Sequence, residues 1–282
     1  MTVVRWHWRS LLGVIFAACL LVSAISCRVV STRGAQKDYK AERFTLRSKW
    51  LPEAREITVF VPPGYADDSK NRYPVLYLQD GWQVQSVAQS LIESGEIEPL
   101  ILVSVPGGKH RLYEFTPTRD KRRKDGGGAD GYLKMLVGEL KPQIDSRYRT
   151  RPGAAATGIG GFSLGALVSL CAGERYPKAF GKLALISPSL WWDDHLLVHR
   201  VEKLPAKLPL KIWLSAGTNE KGMLADNERF HKVLLAKGWR QNKDERFVKI
   251  EGGKHDIADF SRTVAPMLRF LFPPQQETDK GH

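Results

Sequence analysis

From about residue 43 onward, short apolar runs alternate with helical patterns, and nearly every run stops at Gly, Pro or Ser. Two strands come first, "RFTLRS" and "REITVFVPPGY", the second halted by Pro62-Pro63-Gly64, where missing amide hydrogens cannot extend a ladder. "YPVLYLQDG" is apolar from Pro74 to Leu78, and "PLILVSVPGG" repeats the design from Leu100 to Val105. Between them "QSVAQSLIESG" brings Val87, Leu91 and Ile92 to one helical face and ends at Gly95, a β-α-β unit. The runs "AATGIGG", "KLALISPS", "LKIWLSAG" and "RFVKIEGG" follow, separated by helical patterns over 164–176, 225–237 and 261–271. Near-continuous apolar strands between helices predict an α/β fold, a mostly parallel central sheet flanked by helices on both faces. Ligands of such a sheet bind at the carboxyl ends of its strands.

The two ends of the chain do not share this rhythm. "MTVVRWHWRSLLGVIFAACLLVSAISC" places Arg5 and Arg9 before an uncharged run from Leu11 to Ile25 and then Ser26-Cys27, the layout of an export signal. Ala24-Ile25-Ser26-Cys27 resembles a bacterial lipobox, which predicts a signal peptide over 1–26 and a lipid anchor on Cys27. Residues 27–42 read as a tether, 43–273 as one domain and 274–282 as a flexible tail. At 282 residues the chain fits a single α/β domain, which commonly reaches ~250 residues. The expected location is the bacterial cell envelope, lipid-anchored and facing the periplasm. Loss of Cys19 with the signal and acylation of Cys27 would leave Cys171 alone, so no internal disulfide is expected. Loss of the signal also removes Arg5 and Arg9 and no acid, taking the formal charge from +13 to +11. The domain is basic by itself, yet export and the lack of a reading motif speak against nucleic acid. "TPTRDKRRKDGGGADGY", with Lys121 to Lys124 at its centre, reads as an exposed mobile loop at the carboxyl side of the sheet.

Candidate chemistry centres on Gly161-Phe162-Ser163-Leu164-Gly165. A nucleophile elbow needs a strand before the serine, a helix after it and small neighbours where the backbone turns. "ATGIGG" precedes Ser163, "LGALVSLCAGERY" follows it, and Gly161, Gly165 and Ala166 are small. The associated chain order of serine, acid, then histidine selects His255 in "GGKHD" as the base. For the acid, Glu220 lies three residues beyond Gly217 at a strand end; Asp226 is the competitor, although it begins a helical pattern and would serve as an N-cap. The backbone N–H groups of Leu164 and of Trp82, in the turn "LQDGW", are the expected oxyanion-hole donors. Trp191 and Trp192 after "SPS", with Tyr113 and Trp82, point to an aromatic or planar acyl group, at most one of the two adjacent tryptophans facing substrate. Arg111, Lys109 and the 121–124 run could attract an anion. No metal or organic cofactor is required.

"ITVFVPPGY", "YPVLYLQDG", "RLYEFTPT", "ELKPQIDSRYRT", "GGFSLGALVSL", "SPSLWW", "GTNE" and "GGKHD" together resemble the esterase-D-type α/β hydrolases. That group includes siderophore trilactone hydrolases, feruloyl esterases, S-formylglutathione hydrolase and mycolyltransferases. The resemblance spans about Arg43 to Phe272 and implies the α/β-hydrolase fold. It also implies Ser163 as nucleophile, His255 as base, Glu220 at the acid position, and Trp82 and Leu164 as oxyanion donors. Glutamate stands where aspartate is commoner. The expected activity is hydrolysis of carboxylic esters through an acyl-enzyme, on a bulky aromatic or anionic substrate such as a siderophore trilactone. Acyl transfer to an envelope acceptor, or ligand binding by a tethered fold without turnover, are the alternatives. Nothing in the sequence fixes the oligomeric state.

Overall fold

The computed structural model describes residues 38–67 and 69–275. The export signal, Cys27, most of the tether and the tail from 276 lie outside the described residues.

Eight strands form one sheet: β1 (Lys40–Leu46), β2 (Arg55–Val61), β3 (Val75–Gln79), β4 (Ile101–Val105), β7 (Thr157–Phe162), β8 (Lys182–Ile186), β9 (Lys211–Gly217) and β10 (Glu245–Ile250). A separate two-stranded hairpin joins β5 (Arg119–Asp120) to β6 (Asp125–Gly126). The sheet order is β1-β2-β4-β3-β7-β8-β9-β10. β2 pairs antiparallel with β1 and β4, and every other neighbouring pair is parallel. This is the expected mostly parallel sheet of an α/β hydrolase.

Successive side chains of a strand point to opposite faces, and the two faces are covered by different helices. On one face Tyr77, Val103, Ile159, Leu183 and Leu214 join buried residues of α3 (Ala129–Met135), α5 (Leu164–Arg175), α6 (Trp192–Glu202) and α7 (Met223–Ala236). On the other, Leu76, Leu78, Leu102, Ile186 and Trp213 pack with α1 (Gln85–Glu93) and α9 (Val264–Leu271). Both faces are apolar because both are buried, which is why these strands read as continuous runs. No helix among the described residues is long and apolar enough to cross a membrane.

Several boundaries differ from expectation. β1 begins at Lys40, inside the segment read as tether. It is an edge strand whose first four residues are exposed, so its polar composition hides the pairing with β2. The helical pattern over 261–271 divides into α8 (Ile257–Ser261) and α9, and the Thr263 hydroxyl donates to Phe260 O (2.8 Å) at the break. α3 continues through a π-helical stretch, Leu136–Leu140, into α4 (Lys141–Arg147). This helical run went unread because a glycine-rich stretch precedes it and Pro142 interrupts it. The basic segment read as a mobile loop is the β5–β6 hairpin, in which Asp120 Oδ1 accepts from the amides of Arg122 (2.9 Å) and Arg123 (2.7 Å).

Candidate active site

The parallel ladder delivers consecutive strand ends to one place. Phe162 of β7 lies beside Ile186 of β8, Ile186 beside Ser215 of β9, and Gly217 beside Ile250 of β10. Pairing runs on into the loops: Ser163 N–H donates to Ile186 O (3.0 Å), Ser187 N–H to Ser215 O (2.7 Å) and Thr218 N–H to Ile250 O (3.0 Å). The residues just past β7, β8, β9 and β10 are thereby held side by side.

Ser163 takes φ 59°, ψ −119°, a strained conformation for a residue with a Cβ, between β7 and α5. The turn is crowded as an elbow demands. A Cβ on Gly161 would lie 2.9 Å from Gly165 C, and one on Gly165 would lie 2.9 Å from Asp80 Oδ2. Ser163 Oγ donates to His255 Nε2 (3.0 Å), and His255 Nδ1 donates to Glu220 Oε2 (2.9 Å). The carboxylate contact puts the proton on Nδ1 and leaves Nε2 free to accept. The imidazole also packs on Phe162, with ring centroids 4.4 Å apart, and edge-on to Phe260.

The Glu220 side chain is 1% exposed and that of His255 38%. Burial by itself would raise the Glu220 carboxyl, but hydrogen bonds from His255, Ser187 and the Gly217 amide outweigh it and hold the group below the ordinary glutamate range. Gly217 N–H reaches Oε1 at 2.8 Å. The Ser187 hydroxyl donates to Oε2, the oxygen that also meets His255. Asp226 is elsewhere: it bonds His195 Nε2 at 2.8 Å. Nor is it an N-cap, because α7 starts three residues earlier, after Gly222. His199 and His231 likewise pair with Glu202 and Glu245.

Leu164 and Trp82 carry the backbone amides expected to donate to an oxyanion. Leu164 opens α5, so its N–H has no acceptor within the helix. Trp82 closes the turn after β3, where Asp80 (φ 60°) and Gly81 (φ 70°) are both left-handed. Its N–H makes only a long 3.3 Å contact to Gln79 O. Arg111 fixes the same turn by donating from Nε (2.5 Å) and Nη2 (2.6 Å) to the Asp80 carboxylate, and its guanidinium lies over Phe115. Both charges are thus spent on a local pair, so Arg111 is not the free substrate-binding cation expected. Lys109 is exposed, near Glu53.

The two adjacent tryptophans differ in burial. Trp192 is 1% exposed and its indole N–H donates to Thr118 O (3.0 Å), so it is a core residue and not a substrate contact. Trp191 is half-buried, with the Arg123 guanidinium 4.7 Å from its ring centroid. Tyr113 is 52% exposed. After the tryptophans, Asp193, Asp194 and His195 form a left-handed turn, tied to the hairpin side by the Thr118 hydroxyl donating to Asp193 (2.6 Å). Three further site residues, Ser187, Ser189 and Asp80, went unread. Ser189 is 2% exposed with Oγ 3.2 Å from Ser163 Oγ. Their one sequence signal is position, directly after an apolar strand. Among the described residues no group of three or more His, Cys, Asp or Glu side chains is disposed to hold a metal ion.

Comparison with known proteins places the chain in a family. The family described as "Putative esterase" matches residues 48–271. The ferri-bacillibactin esterase BesA of Bacillus subtilis is 27% identical over 256 residues, covering 79% of this chain and 86% of its own. A solved IroE-like serine hydrolase from Shewanella oneidensis superposes with a TM-score of 0.65 at 26% identity, over 83% of this chain and 80% of that one. The enterobactin esterase of Shigella flexneri, solved in the presence of enterobactin, gives a TM-score of 0.70 at 23% identity, over 82% and 58%.

Proposed function

Because this chain belongs to the esterase family just described and is a carboxylic ester hydrolase, we propose that it works through an acyl-enzyme on Ser163. The observation that carries the reading is the continuous hydrogen-bond relay, Ser163 Oγ to His255 Nε2 (3.0 Å) and His255 Nδ1 to Glu220 Oε2 (2.9 Å). As Oγ attacks the ester carbonyl, Nε2 takes its proton, and the buried carboxylate stabilises the imidazolium. The Leu164 and Trp82 amides face the oxyanion. Collapse breaks the ester C–O bond, and His255 returns the proton to the departing alcohol. Water then gives a proton to Nε2 and attacks the acyl carbon, and Ser163 leaves with that proton restored. A fluorophosphonate probe should label the protein and fail to label Ser163→Ala, which should also lose turnover. Turnover retained by Ser163→Ala overturns the assignment.

The substrate class we favour is a bulky aromatic ester of the siderophore type. Two relatives carry siderophore esterase names. Trp191 beneath the Arg123 guanidinium, together with the exposed Tyr113, supplies aromatic and cationic surface for an anionic aromatic group. Hydrolysis of catecholate trilactones, feruloyl esters and short p-nitrophenyl esters should be compared. Fast acetyl-ester turnover with neglect of both large classes removes this choice. We further propose export and a lipid anchor on Cys27, supported by the leader sequence alone. Cys27→Ala should shift the protein from membrane to soluble fractions; an unchanged distribution rejects the anchor.

A further inference from the structure

The acid of the relay is a glutamate, one methylene longer than aspartate, so its carboxylate has one more torsion to fix. Two contacts besides His255 fix it. Gly217 N–H holds Oε1 at 2.8 Å, and the Ser187 hydroxyl holds Oε2. Ser187 is fully buried and its amide is anchored on Ser215 O (2.7 Å), so the hydroxyl has little freedom to turn away. Its Oγ is also 3.5 Å from His255 Nδ1, and this nitrogen already gives its proton to Glu220. The single hydroxyl proton is therefore directed to the carboxylate.

The backbone adds a second, independent observation. Ser187 sits at φ +43°, a left-handed conformation that glycine adopts freely and serine does not. At this strand end the chain carries a strained residue whose side chain reaches the acid.

We propose that Ser187 is a positioning residue for the acid. Its hydroxyl holds the Glu220 carboxylate where Oε2 meets His255 Nδ1–H. The role rests on the Ser163–His255–Glu220 reading given above.

Ser187→Gly tests it, because this change deletes the hydroxyl while relieving the backbone. A purely structural serine would be replaced by glycine without harm. The expected result is an unchanged or raised thermal midpoint, an unchanged KM, and kcat lower by about 10- to 100-fold, the effect of one hydrogen bond to a charged group. In a Glu220→Ala background the same change should cost less than about twofold, since its partner is gone. Ser187→Cys keeps the bulk with a weak donor and should also lose kcat while remaining folded. The proposal is overturned if either folded variant keeps wild-type kcat, or if Ser187→Gly costs the same factor with and without Glu220. Ser163→Ala separates the two levels. If it keeps turnover, the relay reading fails; if it is inactive while Ser187→Gly is fully active, only the role of Ser187 fails.

Discussion

Replacing Glu220 with glutamine exchanges one oxygen for an amide nitrogen, and the surroundings decide which way that amide turns. The Gly217 N–H at 2.8 Å from Oε1 can only donate, whereas the Ser187 hydroxyl and the imidazole at Oε2 can turn from donor to acceptor, so the amide oxygen takes the Oε1 place. The NH2 group then faces His255 Nδ1, where the carboxylate had accepted a hydrogen bond at 2.9 Å. A donor there drives the imidazole proton to Nε2, which can no longer accept from Ser163. The lost charge matters as well. Charge centres about 4 Å apart attract by about 4 kcal/mol at an effective dielectric of about 20, or about 10³ in rate. The tautomer error in a Ser-His-Asp triad costs about 10⁴, so Glu220→Gln should lose about 10³–10⁴ in kcat/KM on a p-nitrophenyl ester. Asp226→Asn, which removes only the partner of His195, should stay within about threefold of wild type, because it leaves every hydrogen bond of the relay in place. A Glu220→Gln enzyme within tenfold of wild type, or an Asp226→Asn loss exceeding it, would refute the reasoning.

Arg111→Met removes the bidentate hold on Asp80, loosening the turn that carries the Trp82 amide. On a neutral short ester, kcat should fall about tenfold, part of the 10²–10³ worth of one oxyanion donor, with KM unchanged; a raised KM at constant kcat would make Arg111 a substrate contact instead. Lys182 is pulled down to about 8 chiefly by burial, with Glu98 opposing, while its ammonium donates to Leu271 O and lies over Phe272. Its folded value lies below the unfolded one, so wild-type stability gains as pH rises from about 8 through the ordinary lysine range. The stability of Lys182→Met relative to wild type should therefore fall by about 1–3 kcal/mol over that window in urea titrations, and a flat difference would contradict the assignment.

The elbow was legible because its requirements are local: a strand, a small-residue turn and a helix are all written within about twenty residues of Ser163. His255 followed from chain order. Sequence favoured Glu220 over Asp226 without deciding between them, because the partner of Asp226 is set by the left-handed turn at Asp193–His195, which carries His195 to it and has no glycine to announce it. Arg111 looked like a free cation for the same kind of reason. Its partner Asp80 is 31 positions away and meets it only when the loops after β3 and β4 converge. Ser187 stood in plain view inside "SPS", but one buried serine after a strand carries no pattern. Its meaning appears only when the turn after β9 brings a carboxylate to it.

The relay residues lie just past β7, β9 and β10, with Ser187 just past β8, and these four strands are consecutive both along the chain and across the sheet. Ser163 and His255 are 92 positions apart, so their contact waits until the last strand has docked on β9. Parallel pairings of this kind close long loops and form slowly. Recovery of esterase activity during refolding should accordingly report the docking of β10 on β9, and is expected to lag the collapse of the core.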